Sequence, residues 1–147
     1  MKRILVALDA SPRAPTVLHA AIELAGPFDA RLRLFRCVTL PTEIPQTFFR
    51  TPDLDMTPLL IERADEEIRA LAERVPAARI ESAVARVGVP WDMICREAKD
   101  FEADLLVMGA QGHGLLDRLL GTTASKVADH APCNLFMVRN DFVVAKG

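Results

Sequence analysis

Three glycines in six residues, Gly109-Ala110-Gln111-Gly112-His113-Gly114, followed by Gly121-Thr122-Thr123, are the densest group of chemistry-bearing positions in the chain. Glycine lets a backbone take positive φ and bring its N–H groups close to an anion, and a helix starting beyond Gly121 would add favourable partial charge. Thr122 and Thr123 offer hydroxyls able to cap that helix while meeting a phosphate oxygen. Phosphate is the natural guest. Two common phosphate signatures are absent, however. Asp117 stands where a Gly-x-Gly-x-x-Gly fingerprint needs its third glycine, and Gly121-Thr122-Thr123-Ala124-Ser125-Lys126 contains no Gly-Lys-[Ser/Thr]. Without that lysine the pattern speaks for binding more than for phosphoryl transfer.

Asp9 directly follows the apolar run Ile4-Leu5-Val6-Ala7-Leu8. It has two readings of equal standing, a turn residue beside Ser11 or a ligand group. His113, inside the glycine segment, is suited to contact a phosphate or orient a water, although an exposed loop histidine is the commoner case. Asp9 and Asp117 are oxygen donors of the type magnesium uses, but magnesium commonly takes part of its shell from nucleotide phosphates, so a metal without nucleotide is not expected. His19 and His130 fall on helices, where surface placement or helix-end electrostatics accounts for them. No Ser/His/Asp set assembles by spacing, and no catalytic residue is assigned.

The elements that must position these residues follow from hydrophobic periodicity. Short apolar runs alternate with amphipathic stretches, the pattern of a parallel sheet covered by helices on both faces. Strands are expected at Arg3 to Leu8, Arg31 to Val38, Ile80 to Val87, Asp104 to Met108 and Asn134 to Val138. Glu81 and Arg86 interrupt the third. A first helix is expected after the cap and proline Ser11-Pro12, with Leu18, Ala21, Ile22 and Ala25 on one face and a stop at Gly26-Pro27. Ile61, Ala64, Ile68, Leu71, Ala72 and Val75 mark a second helix, and Trp91, Ile94, Cys95, Ala98 and Phe101 a third. The last runs to His130-Ala131-Pro132. Thr39 to Pro58 carries Pro41, Pro45, Pro52 and Pro58, which forbid regular structure there. Whether that long connection serves as a lid is left open.

Five strands and four helices in alternation, with right-handed crossovers, give a doubly wound α/β sheet of order 3-2-1-4-5. Its first and fourth strands are neighbours, and the crevice at their carboxyl ends is where such sheets bind ligands. That places Ala7-Leu8-Asp9 and Met108-Gly109 side by side.

The chain has 147 residues, so it is expected to be one domain over 1–147. An apolar share of 50% excludes a disordered chain, and 18 basic against 20 acidic residues, net −2, offers no general attraction to a nucleic-acid backbone. Met1-Lys2-Arg3 is followed by too short an apolar run for a secretory signal, and no stretch approaches a bilayer span. A soluble, cytoplasmic protein is expected, with no membrane and no nucleic-acid partner. Cys37, Cys95 and Cys133 are odd in number and widely spaced, and are read as buried small apolar residues.

At these residues the sequence resembles the universal stress protein family over nearly its whole length. The likeness rests on Ile4-Leu5-Val6-Ala7-Leu8-Asp9-Ala10-Ser11, Val87-Gly88-Val89-Pro90, Ala103-Asp104-Leu105-Leu106-Val107-Met108-Gly109 and Ala131-Pro132-Cys133-Asn134-Leu135. The ATP-binding branch of that family carries Gly-x2-Gly-x9-Gly-[Ser/Thr]. Here Gly109-x2-Gly112 and Gly121-Thr122 are present, but the interval between Gly112 and Gly121 holds eight residues, one short of that pattern.

The resemblance implies an adenine nucleotide alpha hydrolase-like fold and a stress-response protein that binds ATP, with Mg as an optional companion. It places Asp9, Val38 and Met108 around the adenosine, and Gly109, Gly112, Gly121, Thr122 and Thr123 around the phosphates; Ala7 and Leu8, at the end of the first strand, and His113, in the glycine segment, join this binding set by position. It further implies a homodimer joined through the edge strand Asn134 to Val138, where Leu135-Phe136-Met137-Val138 would otherwise be an exposed apolar edge. The alternatives are a nucleotide-free dimerisation module acting through protein contacts, which the shortened interval favours, and a slow ATP phosphohydrolase.

Overall fold

Strand β1 (Arg3–Ala7) carries Ile4, Leu5 and Val6 with no exposed surface on either face, the signature of a central strand in a parallel sheet. Around it the computed structural model, which describes residues 1–39, 56–110 and 120–139, sets a five-stranded sheet in the order β3-β2-β1-β4-β5. The other strands are β2 (Arg31–Val38), β3 (Ile80–Val87), β4 (Leu105–Gly109) and β5 (Asn134–Val138), and all four pairings are parallel. The helices are α1 (Ala14–Phe28), α2 (Thr57–Ala72), α3 (Pro90–Asp100) and α4 (Thr122–His130). The expected α/β topology is present.

Alternation along each strand divides the core into two layers. Ile4, Val6, Leu32, Leu34, Leu105 and Val107 pack with Val17, Leu18 and Ala21 of α1 and Ile68 of α2. Leu5, Phe35, Leu106 and Met108 point the other way, onto Ile94 and Ala98 of α3 and Ala124 and Val127 of α4. Each face thus buries one helix pair.

Strand β3 is an edge strand with none of its residues fully buried, which is why charges are tolerated within it. Glu81 pairs with Arg33 of β2 at 3.1 Å, and Arg86 with Glu97 of α3 at 3.2 Å. At the start of β4, Asp104 accepts the amides of Lys2 and Arg3 at 2.7 and 2.9 Å, tying β4 to the beginning of β1.

Two helix boundaries differ from expectation. Helix α1 begins at Ala14 with Arg13 as its N-cap, so Pro15 rather than Pro12 lies in its first turn, and it runs through Gly26-Pro27 to Phe28. Proline in the final turn forfeits a single ladder bond. The helix ends instead at Asp29, in the left-handed region at φ 52°, with the amides of Asp29 and Ala30 returning to Gly26 and Ala25. Pro58 likewise belongs to the first turn of α2. The rest of the proline-rich connection, 40–55, lies outside the described residues. No helix among the described residues is long and apolar enough to cross a membrane.

Cys37, Cys95 and Cys133 are partly exposed free thiols, not the buried residues expected. Each lies at the margin of the α3/α4 layer, beside the core and not within it.

Candidate functional site

The carboxyl ends of β1 and β4 do meet, and between them opens a cavity of about 490 Å³, within the range of small-molecule sites, roughly 300–1,000 Å³. From the β1 side it is lined by Ala7, Leu8 and Asp9, and from the β4 side by Met108 and Gly109. Gly121, Thr122 and Thr123, at the start of α4, close it. Val38 is buried, and its neighbours line the cavity instead, Cys37 on β2 and Thr39 just after it. Gly112 and His113 lie outside the described residues, as do Gln111, Gly114 and Asp117.

Three backbone hydrogen bonds hold the far wall. The Ala110 amide donates to the Val138 carbonyl at 2.8 Å, and the Gly121 amide donates to the Ala110 carbonyl at 3.0 Å. The Ser125 amide then donates to the Gly121 carbonyl at 2.9 Å, the first closed turn of α4. The amides of Thr122, Thr123 and Ala124 precede that turn, at the positively polarised end of the helix. Gly121 is therefore the cap of α4, with its own N–H already engaged, and the donors toward the cavity begin at Thr122.

Neither Gly109 nor Gly121 is required here by special backbone angles. Among the described residues no glycine takes a positive φ, and Gly121 sits at φ −64°, ψ 164°. A Cβ on Gly109 would meet Val17 Cγ2 at 3.6 Å, an ordinary contact.

Asp9 is a turn residue, as one of its two readings expected. Its Oδ1 accepts the Ser11 amide at 2.9 Å, forming the turn, while the exposed residue also lines the cavity. Ser11 Oγ in turn accepts the Arg13 amide at 3.2 Å. On the β2 side, burial pushes the Cys37 thiol up to about 11, and its Sγ lies 3.2 Å from the Gly88 carbonyl.

Sequence reasoning missed two groups. One is apolar, Phe35 of β2 and Ile94 of α3. The other is cationic, Arg13 in the turn after β1 and Arg139 directly after β5. No motif contains them: Arg139 follows β5 directly, and Arg13 caps α1 after the turn that leaves β1.

A second open cavity, about 470 Å³, lies at the opposite ends of the strands and includes Lys2, Arg3, Arg31 and Arg33. Two of its arginines are held in ion pairs. Arg33 pairs with Glu81 and with Glu97, at 3.1 and 2.8 Å, and Arg3 with Glu102 at 3.2 Å.

The sequence pattern described as the Universal stress protein family matches residues 1–139. The chain is similar to universal stress protein Sll1388 of Synechocystis sp., 31% identical over 94% of this chain and 97% of that one. Among solved structures it is similar to universal stress protein UspA from Lactobacillus plantarum, at 30% identity and TM-score 0.74, covering 94% and 97% of the two chains. The universal stress protein from Archaeoglobus fulgidus in complex with dAMP shares the fold at 24% identity and TM-score 0.56, covering 95% and 98%.

Proposed function

The chain belongs to the universal stress protein family, and from that premise we propose that it binds an adenine nucleotide, ATP with or without magnesium, as a stress-response regulator. The carrying observation is the cavity between the ends of β1 and β4, which gathers Asp9, Met108, Gly109, Thr122 and Thr123 from separate parts of the chain. Leu8, Ile94 and Met108 give the lining an apolar side suited to a base. The start of α4, with the hydroxyls of Thr122 and Thr123, offers donors for phosphate. A relative in complex with dAMP supports the same ligand class. Asp9 is the sole carboxylate lining the cavity among the described residues, and one of its oxygens is committed to the Ser11 amide. We read the site as one that binds rather than turns over.

We further propose a homodimer through β5, an edge strand whose Leu135, Phe136 and Met137 are apolar and only partly buried. Sedimentation of the protein and of Phe136→Lys tests this, with a shift from dimer to monomer expected; a monomeric parent overturns it.

A thermal-shift titration with Mg·ATP tests the nucleotide reading. At a hundredfold excess over Kd, binding stabilises the native state by about 2.7 kcal/mol, and in a domain of this size that raises Tm by about 5–10 °C. No shift up to millimolar ATP overturns the reading. It would favour the nucleotide-free dimerisation module, which rests on the eight-residue interval between Gly112 and Gly121.

A further inference from the structure

We infer that Arg139 is the cationic contact for the phosphates of the bound nucleotide; this rests on the nucleotide-binding reading above. Arg139 directly follows β5 and lines the cavity. The peptide that joins it to Val138 is fixed, because the Val138 carbonyl accepts the Ala110 amide at 2.8 Å. The Ala110 carbonyl in turn accepts the Gly121 amide at 3.0 Å, so two hydrogen bonds connect the root of Arg139 to the cap of α4. Arg139 and the start of that helix, with Thr122 and Thr123, therefore belong to one wall of the cavity.

Elimination leads to the same residue. Arg13, the N-cap of α1, is already partnered. Lys126, in the second turn of α4, does not line the cavity; its Nζ lies over the Trp91 ring of α3, 5.6 Å from the centroid. Arg139 is exposed and has no ion pair or side-chain hydrogen bond among the described residues.

A guanidinium suits the task. Its paired N–H donors match phosphate oxygens, and its charge strengthens those hydrogen bonds over neutral ones. The start of α4 offers backbone donors and a partial charge, but no full one. The segment Gly121 to Lys126 has no lysine placed as in a P-loop. Arg139 brings the missing cation from the far end of the sequence to the same wall.

The test is a calorimetric titration of wild type, Arg139→Gln, Arg139→Lys and Lys126→Gln with adenosine and with ATP. Arg139→Gln should weaken ATP by about tenfold, leave adenosine unchanged and flatten the loss of ATP affinity with rising salt. Arg139→Lys should restore part of that affinity. Lys126→Gln removes the same charge away from the cavity and should bind ATP as wild type does. The inference falls, with nucleotide binding intact, if Arg139→Gln keeps the wild-type ATP affinity, if it loses adenosine equally, or if Lys126→Gln loses as much. If wild type binds neither ligand, the nucleotide reading itself fails and the role of Arg139 goes with it.

Discussion

The carboxylate of Glu97, almost fully buried on α3, lies 2.8 Å from Nη1 of Arg33 on β2. Its other oxygen reaches Nε of Arg86 on β3 at 3.2 Å, so one side chain fastens the helix to two strands. Arg33 also stacks over the Phe101 ring at 4.4 Å. Burial works against the Arg33 charge, but hydrogen bonds to Glu81 and Glu97 outweigh it and raise its pKa further.

Removing that carboxylate should therefore cost more than a surface pair does. Glu97→Ala is expected to destabilise the fold by about 3 kcal/mol in urea unfolding, because it leaves Arg33 partly buried with one partner fewer. Asp92→Ala, which removes the exposed pair with Arg96, should cost less than about 1 kcal/mol.

At the same end of the sheet, the Lys2 and Arg3 amides donate to Asp104 and hold its carboxyl below the usual value. A depressed folded pKa contributes stability above the unfolded pKa, and loses it as pH falls through the folded one. Asp104→Asn should thus melt below wild type at pH 7, and the two melting curves should converge on acidification below about pH 4. Parallel curves down to pH 2 would refute this.

Cys37 titrates in the opposite sense. Burial raises its thiol from 9.0 to about 11, so its contribution to stability is complete below pH 9 and is lost as pH rises toward the folded value. Alkylation of Cys37, followed by mass spectrometry, should be slow at neutral pH and accelerate about tenfold per pH unit below its pKa. Bound ATP should slow it, since Cys37 lines the cavity.

The two ends of the Gly121-Thr122 pair should respond differently to substitution. Gly121 has its amide engaged by Ala110 and an extended backbone open to other residues, so Gly121→Ala is expected to retain ATP binding by calorimetry. Thr122→Pro removes an amide at the first helical position, where proline is tolerated. It should weaken ATP by about tenfold.

Much of this was legible because buried parallel strands are continuously apolar, as Ile4-Leu5-Val6 and Leu105-Leu106-Val107 are, and their spacing admits few topologies. Local stop signals misled where packing overrode them. Gly26-Pro27 reads as a helix end, yet Ala25 is fully buried in the α1/α2 layer and the chain completes its turn to Asp29. The site was legible through its glycines and threonines, which cluster in sequence. Arg13 and Arg139 were not, because two single residues separated by most of the chain acquire meaning only when strand order brings them to one rim. The cysteines were misjudged because residue type alone does not tell the centre of a layer from its margin.

The Ala110 N–H is held by the Val138 carbonyl on the outermost strand, and its C=O by the amide of Gly121, the cap of the helix that closes the chamber. Peeling that strand away, or clamping it against another molecule, must tug on the same short relay that sets the chamber's rear wall. Under the proposed nucleotide reading, the chamber and the protein's outer margin are linked over two hydrogen bonds.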